Sequence, residues 1–194
     1  SVLIQFNWFA DAGIAFDQAL IQSVSISTTA GFTTTEFSNW PVFLPIMLIF
    51  SSFIGGCAGS TGGGLKVIRV LLLYLQGKRE VDRLIHPKAI YSVKLGERAL
   101  PDRVVEAVWG FFSAYAMIFV IIMVGLIATG MDDVTAFSAT AATLNNLGPG
   151  LGEVAATYAE VSDSGKWLLI LAMLFGRLEV FSLLVLFSPT FWRS

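Results

Sequence analysis

One cysteine, Cys57, and one histidine, His86, occur among the 194 residues. A lone cysteine cannot build a disulfide framework or a multi-cysteine metal site. A single histidine, set in a basic loop before Pro87, excludes a His-rich metal centre and leaves little for a Ser/His/Asp triad. Charge is scarce too: Asp, Glu, Lys and Arg make up 13% of the chain, well below the roughly 25% typical of soluble domains. Twelve Lys and Arg against fourteen Asp and Glu leave a net charge of -2, so no global basic field exists to hold nucleic acid. What fills the chain instead is apolar residues, 55% of the total. That balance excludes an ordinary water-soluble enzyme and points to membrane lipid as the surroundings.

The few charges are sorted by position. Nine of the twelve basic residues lie between Lys66 and Arg103, which makes that connecting segment cytoplasmic by the positive-inside rule. The uncharged run Ala107 to Met131 that follows, 25 residues long, can cross a hydrocarbon core of about 30 Å. It emerges at Asp132 and Asp133, and a second run, Trp167 to Phe187, returns to an inner end at Trp192 and Arg193. The outer segments then collect Asp11, Asp17, Glu36, Asp132, Asp133, Glu153, Glu160 and Asp163, opposed there by Lys166. An acidic mouth of this kind raises the local cation concentration; solvated loop charge explains the same residues without a function.

Two uncharged stretches are too polar to span. Gln18 to Thr35 carries eight hydroxyl residues, and Val134 to Gly152 holds Thr135, Ser138, Thr140, Thr143, Asn145 and Asn146 before ending in Gly148, Pro149, Gly150 and Gly152. Irregular backbone at membrane depth is tolerated where it is buried in protein or lines water. Each stretch therefore reads as a re-entrant loop, a half-helix followed by an extended return. A shift of 117 residues sets Thr28-Thr29-Ala30-Gly31 on Asn145-Asn146-Leu147-Gly148 and repeats the order of elements. Carbonyls of such a return can replace the hydration shell of an alkali cation, and the C-terminal end of the half-helix adds negative dipole density. Plain turns after interfacial helices are the alternative.

Six glycines fall in the ten positions 55–64. At up to about 1 kcal/mol each relative to alanine, they forbid a continuous helix, so the inward helix breaks near mid-membrane. A Walker A loop is excluded, because Leu65 and not Lys follows Gly64. Arg177 lies ten residues into the last span, where a charge is expensive unless it faces a cavity or partner. It is expected to be buried and to donate hydrogen bonds to carbonyls or hydroxyls of Cys57 to Gly64, holding the break across a path. An ion pair with an acid on another helix is the alternative, and Glu179, two residues on, lies on a different face.

The segments Ser27-Thr28-Thr29-Ala30-Gly31-Phe32-Thr33-Thr34, Gly55 to Lys66, Asn145-Asn146-Leu147-Gly148-Pro149-Gly150 and Phe175-Gly176-Arg177-Leu178-Glu179 resemble the third and fourth repeats of the Trk/Ktr/HKT potassium transporter superfamily. The resemblance implies an all-α integral membrane fold of potassium-channel-like membrane-helix, pore-loop, membrane-helix repeats around one path, with a glycine-broken helix. It implies uptake of potassium ion, the transported species, across the bacterial cytoplasmic (inner) membrane by a multi-pass protein. It assigns a potassium-binding filter to Thr28, Thr29, Ala30, Gly31, Asn145, Asn146, Leu147 and Gly148, and a gate to Gly62, Gly63, Gly64 and Arg177. In plant relatives serine in place of the first-repeat filter glycine goes with sodium transport; Gly31 and Gly148 are both glycine here.

On that basis residues 1–76 form a third-type repeat lacking its first membrane helix, with a pore loop about 14–35 and a broken helix 40–76. Residues 77–103 form a cytoplasmic connecting segment. Residues 104–194 form a fourth-type repeat with a membrane helix 104–131, a pore loop 134–152 and a last membrane helix 166–190. The resemblance also implies a missing N-terminal half of the same subunit, a homodimer, and a cytosolic nucleotide-binding regulatory subunit, TrkA, meeting Gln76 to Arg103. Channel-like uptake and symport are both compatible with the residues. A membrane assembly protein with structural re-entrant loops, or a sodium/potassium transporter of the same superfamily, are the competing readings; none of them is an enzyme.

Overall fold

A computed structural model describes residues 11–41, 43–55, 63–86 and 92–178. Helix α1, Ala12–Ser27, starts where the Asp11 carboxylate accepts the Ile14 N–H at 3.3 Å. A 3-10 turn, Phe37–Asn39, leads into α2, Phe43–Ile54. Pro45 is tolerated there because the first turn of a helix has no intrahelical use for its N–H groups. The 12 residues of α2 reach about 18 Å, short of the about 30 Å that a span needs.

Glycine ends α2. Gly55 turns out of the helix with φ +70, and Gly64 has φ +80. The chain is already back against the helix there: Leu65 N–H donates to the Phe53 carbonyl at 2.9 Å, and a Cβ on Gly64 would lie 2.7 Å from the Ser52 carbonyl oxygen. Helix α3, Val67–Ile85, follows. It runs unbroken through Gly77, so a segment boundary at 76 falls inside a helix. A single glycine costs about 1 kcal/mol, too little to stop a helix flanked by Leu, Gln, Lys, Arg and Glu. Arg79 reaches Asp102 at 2.6 Å and ties α3 to the start of α4. Between them lies a two-stranded hairpin, β1 Lys94–Leu95 and β2 Arg98–Ala99, paired Lys94 to Ala99 and Leu95 to Arg98.

Helix α4, Asp102–Ala128, is the one described helix long and apolar enough to cross a membrane. Phe111, Tyr115, Ile122 and Leu126 face protein, while Met117, Val120, Ile121 and Val124 are exposed. Helix α5, Asp133–Leu144, and helix α6, Asp163–Arg177, complete the set. Helix α5 sits in the middle, packed against α2, α4 and α6. Its composition is the reason: Ala136, Ser138, Ala139, Thr140, Ala141, Ala142 and Thr143 are all buried, and small side chains let neighbouring backbones approach closely. The hydroxyls of Thr140 and Thr143 donate to the Ala136 and Ala139 carbonyls four residues back, at 2.8 and 2.7 Å, so no polar group is stranded.

Candidate functional site

The C-terminal ends of α1 and α5 have the same backbone. Thr28 and Asn145 sit at φ/ψ of -84/-2 and -84/-3. Each is followed by a residue at positive φ, Thr29 at +57 and Asn146 at +53, and two residues later by a glycine at positive φ, Gly31 at +76 and Gly148 at +104. The hydrogen bonds match as well. Ala30 N–H reaches the Ser25 carbonyl at 2.9 Å and Leu147 N–H reaches that of Ala142 at 2.7 Å. Thr29 N–H bonds Ile26 at 3.1 Å, and Asn146 N–H bonds Thr143 at 3.0 Å. This is the Schellman closure of a helix, which wants Gly or Asn at the left-handed position. Asn146 suits it; Thr29, β-branched, does not.

The returning segments are pinned to their own helices. Thr34 donates to Gln18 at 2.5 Å, and Gln22 donates to the Thr35 carbonyl at 3.2 Å. In the second copy Ser138 exchanges bonds with both Leu151 N–H and Leu151 carbonyl, at 2.9 and 3.2 Å. Thr135 accepts the Glu153 N–H at 3.3 Å. At the far end of α5, Asp132 accepts the Thr135 N–H at 3.0 Å, and its hydrogen bonds to Thr135 hold the carboxyl below its usual range.

The structure brings the two copies together. A Cβ on Gly31 would overlap the Leu147 carbonyl oxygen and lie 3.4 Å from the Pro149 ring. The glycine break meets them from beneath: a Cβ on Gly63 would overlap the Asn145 carbonyl oxygen. Gly176 seats α6 against the Leu144 carbonyl oxygen in the same way, and the Asn146 amide donates to the Met173 carbonyl at 3.3 Å. Glycine is needed at these contacts because backbone meets backbone.

Asn145 also carries a polar chain through the apolar interior. The Tyr115 hydroxyl donates to its Oδ1 at 2.5 Å, its Nδ2 donates to Ser52 Oγ at 2.8 Å, and Ser52 donates to the Ile49 carbonyl at 2.6 Å. Tyr115 is 4% exposed, Asn145 and Ser52 0%. A second tyrosine, Tyr158, donates to the Gly148 carbonyl at 2.8 Å. Tyr115, Ser52 and Tyr158 are not among the residues that motif and spacing single out. The available signal was a hydroxyl inside an apolar run, for Tyr115 and Ser52, since such a group must find a partner once buried.

Arg177 departs from its expected setting. It is exposed in this chain, not buried. The described helix α6 ends on it, with Leu178 as the cap, and a cation in the last turn is favoured by the helix dipole. Gly62 and Cys57 lie outside the described residues, so the expected bonds from Arg177 to Cys57–Gly62 do too.

The family model described as TrkH, cation transport protein, matches residues 9–194. The chain belongs to the TrkH family. It is 68% identical over 193 residues to the Trk system potassium uptake protein TrkH of Vibrio parahaemolyticus serotype O3:K6 (strain RIMD 2210633), covering 100% of this chain and 40% of that protein. Identity to TrkH of Escherichia coli (strain K12) is 62% over the same length and coverage. Identity to the E. coli K12 Trk system potassium uptake protein TrkG is 39% over 180 residues, 93% of this chain and 37% of that protein. The crystal structure of the potassium transporter TrkH from Vibrio parahaemolyticus superposes with a TM-score of 0.91 at 68% identity, over 98% of this chain and 41% of that one. The chain thus spans about 40% of the length of the curated relatives it matches. TrkH family membership gives it a helical membrane fold, with the short hairpin its one sheet among the described residues, and a multi-pass place in the bacterial cytoplasmic membrane.

Proposed function

We propose that this chain contributes to potassium uptake by lining part of an ion path with the backbone of residues 28–31 and 145–148. The observation that carries the reading is the recurrence of one backbone, a helix end, a left-handed residue and a second positive-φ residue that is glycine, in two copies held edge to edge at Gly31 and Leu147. Carbonyl oxygens from such segments strip and replace hydration, and the ends of α1 and α5 add partial negative charge. Two copies line half of a ring; two more segments of the same kind, from the rest of the subunit, close it. Gly62, Gly63, Gly64 and Arg177 act as the gate: Gly63 rests on the filter base at Asn145, and Arg177 follows the glycine that seats α6 there. The basic segment from Gln76 to Arg103 receives the regulatory subunit TrkA, and the subunit works as a homodimer.

A bacterial strain stripped of its own potassium uptake, given the full-length protein that carries this chain, should regain growth at potassium concentrations too low for the parent. Failure to rescue by a protein shown to reach the membrane would sink the reading.

A further inference from the structure

The carbonyl of Gly148 is held by a side chain from outside its own loop. Gly148 has φ +104, and a Cβ there would meet no atom within 4 Å. On the C-terminal side the Pro149 ring fixes φ near its usual value. The remaining freedom lies in the rotation that swings the Gly148 carbonyl, and that oxygen accepts the Tyr158 hydroxyl at 2.8 Å. Tyr158 comes from the outer segment beyond the 3-10 turn Gly152–Val154. Its ring packs against the cluster of Leu126, Ala136 and Val154, which joins α4 and α5. Burial pushes its hydroxyl up to about 12, so it remains a donor at any physiological pH.

Among the described residues, the first copy carries no tyrosine at the matching place. The position 117 residues earlier is Pro41, which has no hydroxyl; there Ser25 of the half-helix donates to the Phe32 carbonyl at 2.6 Å.

We propose that Tyr158 is a positioning residue of the ion path, its hydroxyl fixing the direction of the Gly148 carbonyl and so the size of cation that carbonyl accepts. A carbonyl oxygen has two lone pairs, so the bond to Tyr158 leaves one for the ion. The proposal rests on the reading of residues 145–148 as filter.

The test is made in the full-length subunit, comparing initial rates of potassium, rubidium and sodium uptake. Tyr158→Phe keeps the ring and removes the hydroxyl, and should lower discrimination of potassium over sodium about three- to ten-fold, the loss of one net hydrogen bond. Protein amount and melting temperature in detergent should match wild type. Tyr158→Leu should shift selectivity in the same direction. Selectivity unchanged in Tyr158→Phe, or shifted in Tyr158→Leu alone, overturns the proposal, because ring packing would then be what matters. Gly148→Ser separates the two layers of argument. If it alters selectivity while Tyr158→Phe does not, the brace is wrong and the filter stands; if neither does, the filter reading itself falls.

Discussion

Two glycines at matched positions are glycine for different reasons. Gly148 needs its residue type for φ alone, because space around it is open; Gly31 needs it for φ and because the Leu147 carbonyl occupies the place of a Cβ. A side chain at positive φ costs on the order of 1–3 kcal/mol, which local adjustment can absorb. A collision with a neighbouring backbone must move that backbone, here the facing copy. Gly31→Ser should therefore reduce potassium uptake and potassium-over-sodium selectivity more than Gly148→Ser, measured side by side as initial rates in membranes with equal protein. Equal or reversed losses would show that the contact with Leu147 does not govern the path. The pairing of these positions is legible in the sequence because glycine and hydroxyl residues interrupt apolar runs at one spacing. The strain at Thr29 is not, since threonine gives no sign that its φ is +57.

Among the elements, α5 depends on three others for the shape of its C-terminal end. Asn145 hangs between Tyr115 of α4 and Ser52 of α2, wholly buried. Removing the tyrosine hydroxyl leaves Asn145 Oδ1 unpartnered, a penalty of about 1–3 kcal/mol. Tyr115→Phe should lower the melting temperature of the purified subunit, and so should Ser52→Ala. The double variant should lose less than the sum of the two, because both act through one side chain; strict additivity would mean that the chain of bonds is not a unit. Helix identity is readable where composition is extreme. The run from Ala107 to Met131 lies largely within α4, but the helix starts at Asp102, after Pro101, and stops at Ala128, before Gly130 at φ +97. Polar residues at a helix entrance carry no apolar signal. The contacts of Tyr115 and Ser52 were beyond sequence reach for another reason: each partner stands on a different helix, 30 and 93 residues from Asn145. Arg177 is the last residue of the described helix α6 and is exposed there, a setting that counting residues along one apolar run does not reveal.

Among the described residues, charge is segregated between the two ends of α4. The basic residues of α3 and the hairpin lie at one end of α4, and the carboxylates of the outer segments at the other. Two of those carboxylates, Glu36 and Glu153, line one cavity of about 490 Å³ with Thr33, Thr35, Asn39 and Gly152, where the returning segments of the two copies come side by side. Glu36 is steadied by the Asn39 amide at 2.9 Å. Negative charge at such a mouth concentrates cations before they lose water, and its reach shrinks from about 30 Å at 0.01 M salt to about 8 Å at 0.15 M. The paired substitution Glu36→Gln and Glu153→Gln should therefore raise the half-saturating potassium concentration about two- to five-fold at low ionic strength. It should leave the maximal rate unchanged, since the carbonyls of residues 28–31 and 145–148 are untouched. The gap from wild type should close as an impermeant salt is added. A gap that persists at high salt would mean that these carboxylates bind the ion directly instead of steering it, and a fall in maximal rate would place them within the path.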